Sequence, residues 1–128
     1  MQFTIDAAQQ VVIVTFAGEI SDADLMGIGS GTKAHPQFDP SFSEIVDFSG
    51  VTGGDVSTSA IQRLARQKSI FKLASKRVVI APQPHLYGLT RMFEVYAEQT
   101  KPNIKLVHTF DEAREFLGLQ KTSWRLQP

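Results

Sequence analysis

Short apolar runs alternate with helical segments along this chain, and that alternation limits the folds open to it. β-Branched residues dominate the run at 11–16, apolar residues dominate the runs at 44–48, 77–81 and 104–107, and a polar–apolar alternation at 2–5 precedes them. Helix-start signals or helical spacing separate the later runs, which gives the order β-β-α-β-α-β-α-β-α. Strands that alternate with helices need right-handed crossovers and a sheet covered by helices. The sequence therefore predicts an α/β domain with a mixed, mostly parallel sheet, an N-terminal β-hairpin and about four helices.

The length favours one domain. A chain of 128 residues is near the usual size of a single core, and no linker or internal repeat divides it. We assign residues 1–119 to this domain and residues 120–128, which show no periodicity, to a C-terminal tail.

Glycine and serine positions suggest where several elements begin and end. Gly18 is expected to break the second strand, and residues 49–54, with three glycines, are expected to form a loop. A helix is expected from Ser57 to about Leu73.

The absence of cysteine excludes disulfides, thiolate metal sites and a cysteine nucleophile, and it is typical of a reducing compartment. The first residues lack a signal-peptide pattern, and no stretch approaches the ~20 apolar residues of a membrane span. We therefore expect a cytoplasmic protein without a membrane span.

Charge is balanced overall but segregated along the chain. The net charge of zero gives no general nucleic-acid footprint, so no nucleic-acid partner is expected. Residues 1–55 contain eight acids and one lysine, whereas residues 56–93 contain seven lysines and arginines and no acid. This pattern fits a basic helix face that docks an acidic partner or an anionic headgroup, and it also fits the more common case of two solvated faces of opposite sign.

Catalytic and metal motifs are missing from the sequence. His35, His85 and His108 are widely spaced, and no carboxylate shares a helical turn with them, so no metal site is expected. The glycines at 50–54 lack a phosphate-loop or dinucleotide pattern, and no motif joins a nucleophile to a base. We expect no cofactor and no enzymatic activity.

One segment carries more information. Val46-Asp47-Phe48-Ser49, followed after five residues by Asp55-Val56-Ser57, resembles the Leu-Asp-Leu-Ser … Asp-Ser-Ser-Gly segment of SpoIIAA and related STAS domains. The spacing between the two aspartates is the same. In the anti-anti-sigma members, a partner kinase phosphorylates the serine two places after the second aspartate. The resemblance therefore implies phosphorylation of Ser57, which occupies that position here. Val56 and Thr58 stand where that segment has serine and glycine.

The whole stretch 1–119 also resembles the small bacterial SpoIIAA-like proteins of unassigned function. The features in common are a hairpin ending near Phe16-Ala17-Gly18, a strand like Ile45-Val46-Asp47, and a late helix start at Gly88-Leu89-Thr90-Arg91-Met92-Phe93. Because that group is often compared with the lipid-binding CRAL-TRIO fold, the likeness implies binding of an apolar ligand.

Two functions follow as hypotheses. The first is a non-catalytic, regulatory protein-interaction module that uses Asp55, Ser57, Thr58 and Ser59 together with the basic helix after them. A partner protein is expected in that case. Ser57 would equally serve as a plain helix N-cap. Self-association into a homo-oligomer is left open.

The second hypothesis is a binding protein for a small apolar molecule or lipid, held between the sheet and the helix at 87–96. His85 and Tyr87 are expected in the loop after the strand at 77–81, at the carboxyl edge where α/β sheets bind ligands. Arg91 would bind an anion at a helix start, or form an exposed ion pair with a neighbouring glutamate.

Overall fold

A five-stranded sheet organises the chain. In this computed structural model, which describes residues 1–98 and 103–119, the strands lie in the order β1-β2-β3-β4-β5. Their bounds are β1 Gln2–Asp6, β2 Val11–Ser21, β3 Ser43–Asp55, β4 Arg77–Ile80 and β5 Ile104–Val107. β1 pairs with β2 in antiparallel fashion, and every other neighbouring pair is parallel. The predicted mixed, mostly parallel α/β fold with its N-terminal hairpin is confirmed.

Five helices lie in the described part of the chain. They are α1 Asp22–Met26, α2 Ile28–Lys33, α3 Thr58–Arg66, α4 Pro84–Ala97 and α5 Phe110–Leu117. The first predicted helix is divided in two at Gly27, which ends α1 and precedes α2. None of these helices has both the length and the apolarity that a transmembrane span requires. The tail predicted at 120–128 lies outside the described residues.

The strand order places four helices on one face of the sheet. Because β2, β3, β4 and β5 follow one another in space as in sequence, right-handed crossovers all return over the same side. α1 to α4 pack there on Val14, Val46 and Val79, whereas α5, which follows the last strand, packs on the opposite face against Val78 and Ile80.

β2 and β3 are longer than the glycines indicated. The predictions that Gly18 ends β2 and that 49–54 is a loop are wrong, because both stretches belong to the parallel β2–β3 pair. Two irregularities in the register occur there, and Gly18 takes a positive φ of 74° beside one of them. Gly54 has φ 127°, and a Cβ atom on it would overlap the backbone of Ile20. Gly18 thus supplies the backbone conformation at a bulge, and Gly54 allows the two strands to approach closely.

α3 is shorter than predicted. It ends at Arg66 instead of about Leu73. Position 68, which would continue the apolar stripe of Ile61, Leu64 and Ala65, is an exposed lysine, so the amphipathic pattern of the helix ends there. Residues 67–76 return to β4 as irregular chain, and Phe71 in this segment packs edge-on against Phe38 at 5.4 Å.

α4 begins earlier than predicted. Pro84 occupies its first turn, where the missing N–H of proline costs nothing. His85 and Tyr87 therefore lie in the helix, and their predicted placement in a loop is wrong. The predicted apolar stripe of α4 packs on the core through Leu89 and Phe93, but Tyr96 is 47 % exposed.

Ile80 tests the position of β4 in the core. Its side chain is fully buried on the α5 face. We expect Ile80→Ala to lower the free energy of unfolding by about 2–5 kcal/mol, as cavity-forming changes in a core do. Urea denaturation measures the loss. Ile104→Ala, the same truncation at a half-buried position on the edge strand, is the control and should cost less; a loss at Ile80 below about 0.5 kcal/mol would contradict the packing described.

Candidate functional site

A cavity of about 270 Å³ lies between the sheet and helices α1 to α4, on the face that these helices cover. Its walls are mainly apolar and come from both layers, including Val46, Phe48 and Val79 from the strands and Leu64, Leu89 and Phe93 from the helices. Thr90 is a polar member of the wall, but its hydroxyl donates a hydrogen bond to the Leu86 carbonyl at 2.8 Å. Few polar groups and a concave apolar wall are the usual form of a small-molecule site.

The early end of α3 contributes to this space. Because the helix stops at Arg66, residues 67–71 continue as irregular chain and form part of the cavity wall. The cavity extends along the strands from near Ile20 to Ile104, at the start of β5. It therefore spans the sheet from its carboxyl edge to its amino edge.

A charged pair lies at the amino-edge end. Glu44 and Arg77 occupy matching positions in the registered pair of β3 and β4, and Arg77 Nε donates to Glu44 Oε1 at 3.0 Å. The Glu44 side chain is only 3 % exposed and that of Arg77 19 %. A buried carboxylate requires such a partner, because an unpaired charge would be costly in this environment.

The guanidinium of Arg77 is held by two further contacts. Its Nη1 donates to the Ser69 hydroxyl at 3.4 Å, and the group lies over the Phe71 ring at 5.1 Å from the centroid. Both contacts come from the irregular segment after α3. The same segment that opens the cavity therefore orients its arginine.

Exposed side chains mark where the cavity meets solvent. Ser30 and Lys33 of α2 lie on one side, and Gln67 and Lys68 lie after α3. With Arg77, the described residues of the lining include three cationic side chains and one carboxylate, that of Glu44. We call this region, Lys33, Lys68, Glu44 and Arg77, the charged mouth. Its net charge is positive.

The cavity does not open where the sequence placed a ligand site. Binding at the carboxyl edge of an α/β sheet uses the crevice formed where the strand order reverses. Here β2 to β5 advance in one direction without a reversal, so that crevice does not form. The charged mouth lies instead at the amino ends of β3 and β4.

The three predicted ligand residues do not line this cavity. His85 is exposed, and Tyr87 stacks on His108 with ring centroids 4.2 Å apart. Arg91 forms an exposed ion pair with Glu94 at 3.3 Å. This ion pair is the alternative role that the sequence predicted for Arg91. Their neighbours Leu86, Leu89, Thr90 and Phe93 form the wall. A binding role for His85, Tyr87 and Arg91 stays a prediction.

The predicted interaction loop lies at the end of β3. Asp55 is the last residue of that strand, Ser57 caps α3, and Thr58 and Ser59 are exposed in its first turn. The Ser57 hydroxyl accepts from the Ala60 N–H at 3.1 Å, which confirms the N-cap role. It also donates to Asp22 Oδ2 at 2.7 Å, and the Ser57 N–H donates to Oδ1 at 2.8 Å.

This contact links α1 to α3 and makes an added negative charge at position 57 unfavourable. The hydrogen bond from the Ser57 hydroxyl, followed by that from its backbone N–H, holds the pKa of the Asp22 carboxyl below its usual range. Asp22 is therefore ionised at neutral pH. A phosphate on Ser57 would lose the hydroxyl donor and bring a second negative charge against this carboxylate.

Within the described ranges 1–98 and 103–119, no three histidine, aspartate or glutamate side chains gather as a metal site requires. His35 instead accepts a hydrogen bond at Nδ1 from the Gln37 N–H at 3.2 Å.

The sequence contains a signal that could have predicted the charged mouth. Glu44 is the second residue of β3 and Arg77 the first of β4, so parallel pairing brings the two charges together. Opposite charges at the starts of adjacent parallel strands predict such a pair.

No protein-family model matches the sequence, and no curated protein matches it either. The function is therefore inferred from the geometry of the cavity and its charged mouth.

The Asp22–Ser57 contact predicts a pH dependence. A carboxyl whose pKa is lowered by folding stabilises the protein above its unfolded pKa, for which the reference value is 3.8, and loses that contribution as the pH falls through the folded pKa. We expect Asp22→Asn to be less stable than the wild type at about pH 6, with the gap closing below about pH 4. Urea denaturation across this range measures the gap. A gap independent of pH would contradict the contact.

Substitutions at Ser57 distinguish the stability lost with the helix cap from the stability lost by adding a negative charge. Ser57→Ala should cost about 0.5–2 kcal/mol because the cap is lost. An aspartate is ordinarily a good N-cap, but Ser57→Asp should cost more than Ser57→Ala because it would face Asp22. Adding Asp22→Asn to Ser57→Asp should restore stability in thermal denaturation. Equal stability of Ser57→Asp and wild type would disprove the repulsion.

Proposed function

We propose that this protein is a non-catalytic binding protein that holds a small apolar molecule between its sheet and helices α3 and α4. The cavity of about 270 Å³ carries the proposal. On the scale of an engineered cavity of about 150 Å³ that binds benzene, this volume suits a ligand of roughly ten carbon atoms. The alternative predicted from the sequence, a small apolar ligand or lipid, thus becomes the leading proposal.

The polar groups of the cavity support binding rather than catalysis. The Glu44 carboxylate accepts a hydrogen bond from Arg77, and the hydroxyl proton of Thr90 is donated within its own helix. Neither contact is the pairing of a nucleophile with a base that catalysis by acyl or proton transfer requires. The proposal is therefore a carrier or sensor of its ligand.

The protein-interaction function is the weaker proposal. It relies on the segment at Asp55 and Ser57, where the serine hydroxyl is engaged by Asp22 and by the helix it caps. The proposed binding function agrees with what the resemblance to the SpoIIAA-like proteins implies. We propose that the protein acts in the cytoplasm, and the lack of cysteine in the sequence, which is typical of a reducing compartment, supports this.

Native mass spectrometry tests the proposal directly. Protein purified from cells in which it is naturally expressed should carry a small molecule at up to one per chain, and mild activation should release it. Protein stripped by partial unfolding should rebind a chain of about ten carbons with a stoichiometry of one. No bound species before stripping and no binding afterwards would contradict the proposal.

Filling the cavity provides a matched pair of variants. Leu64→Phe adds volume at the cavity wall, whereas Ile80→Phe makes the same change in volume in the packed core on the opposite face. Overpacking a tight core costs about 1–3 kcal/mol, so Ile80→Phe should lose that much and Leu64→Phe clearly less. Urea denaturation measures both.

The same pair tests binding. Leu64→Phe should weaken ligand binding at least several-fold by occupying the space, while Ile80→Phe, where it stays folded, should bind as the wild type does. Equal destabilisation by the two variants, with unchanged binding in Leu64→Phe, would show that the cavity is not the site.

A further inference from the structure

We infer that the ligand is a medium-chain monocarboxylate, a fatty acid of roughly ten carbons, whose carboxylate is received by Arg77 and the lysines of the charged mouth. The inference rests on the proposed binding function and names the chemistry of its ligand.

Arg77 is positioned to receive a carboxylate. Arginine has five N–H donors in a rigid plane, and among the described residues its side chain donates to Glu44 and to Ser69. The pairing through Nε and the packing on the Phe71 ring fix the plane of the guanidinium. A second carboxylate can then be bound through the remaining N–H groups, two on Nη2 and one on Nη1, without moving Glu44.

The charge of the mouth selects the sign of the head group. Glu44 balances one cation, and Lys33 and Lys68 leave an excess of positive charge where the cavity meets solvent. An ammonium head would meet like charges there. A neutral head would accept a hydrogen bond from Arg77 but would gain no attraction between opposite charges. A single carboxylate gains both the attraction of the lysines and the hydrogen bonds of Arg77.

The shape of the cavity places the chain of the ligand. From the charged mouth the lining continues along the strands through Val79, Val46 and Phe48, with Leu64 and Leu89 above them. Apolar surface on both sides suits an alkyl chain, which gains free energy in proportion to the area it buries. A head at the amino edge and a tail toward the carboxyl edge use both properties of the site.

Calorimetry with three probes of equal chain length tests the inference. We expect decanoate to bind the wild type at least about tenfold more tightly than 1-decanol or decylamine, with an affinity that falls as salt is raised. Decanol should still bind, because its chain fills the same space.

Variants test whether the charged mouth binds the carboxylate head group of the ligand. Lys33→Gln with Lys68→Gln should weaken decanoate several-fold and leave decanol unchanged. Lys72→Gln with Lys76→Gln removes the same charge from exposed lysines that do not line the cavity, and should change decanoate binding little. Arg77→Gln combined with Glu44→Gln, which avoids an unpaired buried charge, should abolish the preference for decanoate. If that variant fails to fold by circular dichroism, the lysine pair and the salt dependence still decide.

The outcomes distinguish this inference from the proposed function. Equal affinity for decanoate and decanol, or equal effects of the two lysine pairs, would overturn the carboxylate inference while the apolar-binding function stands. Tighter binding of decyl phosphate than of decanoate would also overturn it, by assigning the head to a phosphate. Binding of none of the probes would overturn both.

Discussion

The parallel pairing of β2 with β3 is the contact on which the other elements depend. These strands run side by side from Val11 and Ser43 to Ser21 and Asp55, well beyond the point where β4 ends. Past that point the Gln83 side chain donates to the carbonyls of Phe48 and Val51, at 2.8 and 2.9 Å, in place of a strand neighbour. Backbone groups that would otherwise lack a partner are thereby satisfied. The same extension brings Asp22, just after β2, to Ser57, just after β3.

The cavity follows from the order in which strands join this pair. Each new strand is added on the same side, so the crossover helices must share one face, and their packing on one another competes with packing on the sheet. α3 ends at Arg66, and the irregular chain after it fills the layer incompletely. The register that pairs Glu44 with Arg77 then places a charged pair at the end of an apolar space. A site with an apolar body and a cationic end thus arises from topology and register together.

Much of the fold could be predicted from the sequence because its signals are local. The β-branched runs at 11–16 and 77–81 and the capping box at Thr109 and Glu112 each specify an element through residues within a few positions. Gly18, with its positive φ beside a bulge, and Gly54, which lies against the backbone of Ile20, are wrongly predicted as strand-ending glycines because a glycine inside a strand looks the same in sequence as one in a turn. The predicted ligand residues lie away from the cavity because strand order, which decides where a crevice forms, is a long-range property that local sequence patterns do not reveal. The cavity arises because the helix layer does not completely fill the space over the sheet, and no local sequence pattern predicts such a gap.

Methyl-group NMR during a titration with decanoate tests the central claim, that the space between the sheet and α3–α4 is a ligand site. The account predicts saturable shifts for methyl groups that line the cavity, such as those of Leu64, Leu89 and Val79, and little change for Val11 and Val78 on the other face. Exposed Leu73 and Val95 report non-specific association. Shifts confined to those exposed residues, or spread equally over both faces, would contradict the account.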